Sequence, residues 1–342
     1  MPVMLSSAAR PETGPGDSPA APPQAAPPLD PVHDAGPAPA AGRPGRIGFG
    51  EVLRLWQAGA DLYRGVPHEG RPPRAFGGVT LAQALLAASR TLEPADPGTA
   101  GPVPHSLHAY FLHSVTPGEP VEHRVERLRD GSSYASRQVL VQQEGRPVVS
   151  LTASFKRTET ALDRQAEAPA APDPDSLPDP QARFAERHPA AYAATTIARV
   201  LDLRPVPPDA EDLAAREAGR ARQRVWMRAA LPLPDVAEQP VLHAAVLAYL
   251  SDLTLTPTAA LPWESLGRGA GPGGQRLLLA SLDHALWFHR PHPADDWLLY
   301  DQRTITLADG RALSRGELWS RDGALIATAT QEAVLRLRSG RS

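Results

Sequence analysis

Ser281-Leu282-Asp283-His284-Ala285-Leu286-Trp287-Phe288-His289 is the stretch on which the fold turns, because an earlier stretch, His105-Ser106-Leu107-His108-Ala109-Tyr110-Phe111-Leu112-His113, repeats its order of residue types. His108-Ala109 and His113 answer to His284-Ala285 and His289, with Phe111 opposite Trp287. Each stretch has one helical pattern before it. In the first copy, residues 80–92 carry Leu81, Leu85, Ala88 and Leu92 at helical spacing behind Phe76-Gly77-Gly78, where two small residues suit a loop-to-helix turn. In the second copy, residues 243–253 are apolar almost throughout.

Strand-like runs surround and follow both stretches. Residues 107–113, 121–128, 134–143 and 147–156 are separated by Thr116-Pro117-Gly118, Arg129-Asp130-Gly131 and Glu144-Gly145, and residues 277–288, 297–307, 312–320 and 324–337 follow the same order. The Glu144-Gly145 hairpin is matched by Asp322-Gly323. Similarity at domain length implies duplication of one unit, a helix laid on an antiparallel sheet. The fold class is therefore α+β, and two such units in one chain pair most naturally as a built-in dimer with any shared site at the pseudo-twofold interface.

The chain has 342 residues, enough for two cores of ordinary size, and 39 of them are proline. Those prolines mark what is not core. Residues 1–45 are nearly all Pro, Ala, Gly, Ser and Asp, a composition that cannot repay the entropy of ordering, so a disordered tail is expected there. A second Pro/Asp/Ala stretch sets a linker at 161–205 between an N-terminal unit at 46–160 and a C-terminal unit at 206–342.

A formal net charge of -3 provides no field that would gather nucleic acid or anionic lipid. No run approaches the ~20 apolar residues of a membrane span, and the first residues lack the pattern of a secretory leader, so a soluble cytoplasmic protein is expected. Cysteine is absent, which excludes thiolate ligands and a Cys nucleophile. There is no Gly-x-Ser-x-Gly elbow, no His-Glu-x-x-His and no phosphate-cradling loop with a Gly-Lys pair. The expectation is chemistry without metal or cofactor, and hydrolysis, if it occurs, by direct attack of water.

Asp252 is the polar residue least at home in its surroundings, Leu247-Ala248-Tyr249-Leu250-Ser251-Asp252-Leu253. On a helix it continues a stripe of small residues from Ala244 and Ala248. A carboxylate on a helix built for burial is costly unless paired or functional, and its other reading is a cap or a solvent-facing Asp. Gln331 interrupts a strand of small and apolar residues where the first copy has Ala153, as a site gained in one copy would. Ser281 opens its strand and could hold a water or serve only the turn. His105 and Asp283 are further candidates left outside the core set, since a lone His before a strand is more often structural and Asp283 can serve as the partner of an Arg. Trp287, Phe288 and Trp297 read as core aromatics first and as pocket lining second.

Taken together, the stretch Ser281 to Arg290, with Ala248-Tyr249-Leu250-Ser251-Asp252-Leu253 before it and Thr330-Gln331-Glu332 after it, resembles the acyl-CoA thioesterase II family. In the first copy Phe76-Gly77-Gly78, His105-Ser106-Leu107-His108-Ala109-Tyr110-Phe111-Leu112, Leu128-Arg129-Asp130-Gly131 and Ser150-Leu151-Thr152-Ala153-Ser154-Phe155 resemble its N-terminal half. The resemblance runs from about Gly50 to Arg338. It implies a double hotdog, an acyl-CoA substrate hydrolysed to free acid and coenzyme A without metal or covalent intermediate, and an Asp, Thr/Ser and Gln triad at Asp252, Ser281 and Gln331. Asp252 would take the proton of a water held also by Ser281 and Gln331, with backbone N–H groups near Gly77 and Gly78 as oxyanion donors. Val79 departs from the family pattern, which commonly has Gln there.

Three readings are thus in play. The first is this thioesterase, which could assemble further as a homo-oligomer; the second is an acyl-CoA or lipid-binding module that keeps the cavity without turnover. An enoyl-CoA hydratase is the third, and it would need a His five residues after the Asp, where this chain has Pro257.

Overall fold

A computed structural model describes residues 45–70, 74–92, 101–263 and 276–338. The expected tail, residues 1–45, falls outside them except for Gly45. The chain enters through a one-turn helix, α1 (Phe49–Val52), and a short hairpin, β1 (Leu55–Gly59) with β2 (Leu62–Gly65). The long helix α2 (Gly77–Ser89) follows, then strands β3 (Val103–Phe111), β4 (Val121–Asp130), β5 (Tyr134–Gln143) and β6 (Arg146–Lys156). Glu144 and Gly145 both take positive φ, 51° and 76°, the geometry a two-residue hairpin needs to match strand twist.

Between the units the expected linker is only partly a linker. Residues 161–173 contain no helix or strand, but helices α3 (Pro180–Arg187), α4 (Pro189–Ala193) and α5 (Thr196–Val200) and edge strand β7 (Leu201–Pro205) lie within it. Their formation has local causes. Asp179 caps α3 by accepting from the N–H groups of Gln181 and Ala182, and Pro180 supplies a first helical residue that needs no donor. β7 pairs with β8 (Arg222–Ala229) after a short helix α6 (Ala210–Glu217), closed at its start by a reciprocal Asp209/Asp212 capping box.

The second unit continues with the 19-residue helix α7 (Pro240–Thr258) and strands β9 (Arg276–Ser281), β10 (Asp283–Phe288), β11 (Leu298–Ala308), β12 (Arg311–Ser320) and β13 (Leu325–Arg338). Both expected helices are present, and the one run expected at 277–288 is two strands. Ala333 pairs with Ser281 and Thr330 with Ala285, so Leu282 is an extra residue on the β9–β10 side, and such a bulge turns neighbouring side chains to a new direction.

β3 and β10 pair antiparallel, from Tyr110 with Asp283 to Ser106 with Trp287, and join the two sheets edge to edge. The joined sheet runs β1-β2-β4-β5-β6-β3-β10-β13-β12-β11-β8-β7, with β9 beside β13. α2 and α7 pack against each other and against the sheet, and α7 is buried from His243 to Asp252 without a break. A helix apolar on all sides is stable only where partners cover every side, which this position between α2 and the sheet provides.

The ladders also correct the matching of the two copies. Leu107 pairs with Ala153, and the β10–β13 register, one step beyond Ala285 with Thr330, sets His284 beside Gln331. His284 is thus the counterpart of Leu107, and of the pair matched by sequence His284 is fully buried whereas His108 is exposed. Trp287, expected in the core, is 44% exposed; Trp297 is buried with Trp226 and Trp319 in a smaller cluster of the second unit.

Candidate active site

Asp252 sits in the fourth turn of α7, 8% exposed, at the wall of an open cleft of about 500 Å³. The start of α2, the end of β3 with the loop after it, and Ala280 and Ser281 form the other walls. Asp252 and Ser281 come from the second unit and Gly77, Thr80 and Phe111 from the first, so the cleft lies between the copies.

Gln331 connects the carboxylate to the hydroxyl. Its Nε2 donates to Asp252 Oδ1 at 2.6 Å and to Ser281 Oγ at 3.2 Å. Both amide hydrogens are then used, and Ser281 Oγ has a further neighbour in Thr256 Oγ1 at 3.2 Å. Thr256, one turn beyond Asp252 on α7, had no signal in the sequence beyond its spacing. The bulge at Leu282 sets where Ser281 ends β9 against Ala333.

The two glycines differ in what they do. A Cβ at Gly77 would lie 2.7 Å from Asp252 Oδ2 and 3.0 Å from the Phe111 ring, so the bare residue lets the carboxylate reach the start of α2. Gly78 donates its backbone N–H to Asp252 and is buried away from the cleft, which Gly77 lines. Of the two expected oxyanion donors, Gly77 is therefore the one that lines the cleft. A Cβ there would meet the Tyr249 carbonyl oxygen at 2.6 Å and the Phe76 ring at 2.5 Å, so this glycine sets how closely α2 approaches α7. Gly78→Ala should cost ~1–3 kcal/mol of stability as an overpacked contact against backbone. Chemical denaturation of the purified variant checks this, and an unchanged midpoint would contradict the packing assigned to it.

Burial pushes the Asp252 carboxyl up to about 7, and hydrogen bonds from Gln331 and the Gly78 N–H oppose that rise. A carboxyl titrating there is an effective proton acceptor near neutral pH. His284, which the residue pattern did not single out as chemical, completes the surroundings. Ser251 Oγ lies 2.8 Å from Nε2 of His284 and 3.0 Å from Ala248 O, and so ties the ring to this turn of helix. The other ring nitrogen, Nδ1, lies 4.0 Å from Asp252 Oδ1, and the ring also interacts with the Gln331 side chain. Burial holds this imidazole neutral, down to about 3. Tyr300 fixes the same turn of helix by donating to Ser251 O at 2.9 Å.

Other expected residues lie elsewhere. His105 bonds Ser154 Oγ at 2.8 Å and lines a different cavity. Asp283 accepts the Glu332 N–H at 2.7 Å and contacts His108 Nε2 at 3.2 Å, so it ties strands together and pairs with no Arg among the described residues. Val79 is fully buried in the core and faces no cleft. Among the described residues no group of three His, Asp or Glu is placed to hold a metal, and no helix is long and apolar enough to cross a membrane.

Residues 67–156 match the family model of the acyl-CoA thioesterase N-terminal domain, and residues 165–335 that of the acyl-CoA thioesterase C-terminal domain. Human acyl-coenzyme A thioesterase 8 is 32% identical over 300 residues, which cover 84% of this chain and 88% of that protein. Acyl-CoA thioesterase 2 of Haemophilus influenzae is 29% identical over 301 residues, 83% of this chain and 96% of the relative. Among solved structures, an acyl-CoA thioesterase II from Mycobacterium marinum superposes with a TM-score of 0.67 at 38% identity, over 85% of this chain and 98% of that one.

Proposed function

The chain belongs to the acyl-CoA thioesterase family, and from that premise we propose that its cleft hydrolyses acyl-CoA thioesters by direct attack of water activated by Asp252, Ser281 and Gln331. The observation that carries the reading is the Gln331 amide joined at once to the Asp252 carboxylate and the Ser281 hydroxyl. Two of these three residues line an open cleft between the units.

The attacking water lies between Asp252 Oδ2 and Ser281 Oγ. Asp252 takes one of its protons as the oxygen adds to the thioester carbonyl. Gln331 holds Oδ1, which leaves Oδ2 for the water. Once protonated, Asp252 is neutral in a buried setting, the state its surroundings favour. Collapse of the tetrahedral intermediate expels the coenzyme A thiolate, and Asp252 returns the proton to its sulfur. The Gly77 N–H, at the first position of α2 where no intrahelical acceptor exists, is the remaining oxyanion donor of the two considered.

Release of free thiol from acyl-CoA substrates of graded chain length tests the reading. Turnover of at least one chain length without added metal is expected. Binding of every acyl-CoA without thiol release would leave an acyl-CoA-binding module in its place.

A further inference from the structure

A second cavity, about 440 Å³, opens on the other side of the junction between the units. Much of its wall is that of the cleft with the two copies exchanged. The start of α7 replaces the start of α2, the end of β10 with its following loop replaces that of β3, and the start of β3, Val103 to His105, replaces the end of β9. The difference that bears on chemistry is that the cleft receives Asp252 from the opposite helix, whereas no residue of α2 reaches this cavity.

What lines it instead is apolar below and cationic above. Val236, Leu247 and Phe288 contribute apolar surface, and Lys156, Arg157 and Arg290 stand against one lining carboxylate, Glu159. Lys156 pairs with Glu159 at 2.7 Å, and Arg290 is held by Leu325 O and by Asp163. Glu159 and Asp163 are 63% and 70% exposed, so an incoming anion competes with weak, solvent-screened partners. Arg157 donates to Ser132 O and has no carboxylate partner among the described residues. His292, also in the wall, buries its Nε2 without a protein partner.

We propose that this cavity is a second, non-hydrolytic binding site for an acyl chain with an anionic head, the chain against Leu247 and Phe288 and the head at Arg157, Lys156 and Arg290. The choice of ligand class rests on the function proposed for the cleft; the site itself rests on the cavity. Its volume is in the range of small-molecule pockets, and an apolar floor with a few convergent polar groups is their usual lining. With no carboxylate from α2, a bound thioester would lack the counterpart of the base that Asp252 supplies in the cleft.

Calorimetric titration of the wild-type full chain tests this with two probes, decanoate and a decyl-CoA thioether that cannot be hydrolysed. The thioether should bind with a second equivalent beyond the cleft, and decanoate should fill the cavity. Ala237→Trp, an exposed rim position, and Arg157→Glu should each weaken that second event at least about tenfold. Thiol release by both variants should stay within about twofold of wild type, because neither residue lies in the cleft. A single binding event in the wild type, or a second event indifferent to both substitutions, overturns the proposal. A wild type that binds twice but releases no thiol would instead refute the function proposed for the cleft and leave the second site standing.

Discussion

Asp252→Asn is expected to lower kcat by ~10²–10⁴, the usual cost of removing a positioned general base. Asn keeps the shape and can still meet Gln331, so the cleft and its acyl-CoA affinity should be retained. The same substitution should raise stability, and the sign follows from the titration. The folded carboxyl titrates at about 7, against 3.8 for an ordinary aspartate. Between these values the folded state holds a proton that the unfolded chain releases, so the contribution of neutral Asp252 is complete below pH 3.8 and is lost as pH rises through 7. Above pH 7 the wild type carries a buried charge that the Asn variant lacks, a difference on the order of a few kcal/mol. A gain in thermal midpoint at pH 8 that shrinks toward pH 4 is the expected pattern. Equal midpoints at both ends would show the carboxylate to be well solvated.

Gly77→Ala should reduce turnover almost as much, by a different route. The new Cβ would lie 2.7 Å from Asp252 Oδ2, closer than a methyl group and an oxygen can approach, and 3.0 Å from the Phe111 ring. The carboxylate would have to withdraw from the position proposed for the water, and misplacement on this scale can cost ~10² in rate. Unlike Gly78, Gly77 meets mobile side-chain atoms and not backbone, so the fold should tolerate the change. A folded Gly77→Ala protein with an unchanged kcat would remove the close approach of helix and carboxylate from the mechanism. Assayed together, the two glycine variants separate packing from chemistry at adjacent positions.

How much of this could be read in advance depended on the range of the interactions involved. Both long helices and most of the longer strands were legible from local pattern, α7 from an apolar run that stops five residues short of its end, whereas β8 was not. The break at Leu282 was not, because it arises from a register between β9, β10 and β13 that no local pattern encodes. The same holds for β7 and for α3 to α5, short elements in a proline-rich stretch whose stability comes from caps and from an edge pairing. Asp252, Ser281 and Gln331 were legible as polar residues out of place, and the structure joins them by hydrogen bonds. His284 and Thr256 went unnoticed for the opposite reason. A buried His and a helical Thr are common, and only the contacts with Ser251 and Gln331 give the imidazole its place beside Asp252. Gly77 and Gly78 are alike in sequence, and only the packing of α2 against α7 sets one toward the cleft and the other toward the Tyr249 carbonyl.

The central claim, that Asp252 is the base, is tested most directly by kcat/KM against pH for wild type and Asp252→Asn side by side. The wild-type rate should rise with unit slope as pH increases and level off above an inflection near 7, where Asp252 loses its proton. The residual rate of the Asn variant should lack that inflection. Persistence of the same inflection in the variant would assign it to another group and contradict the account.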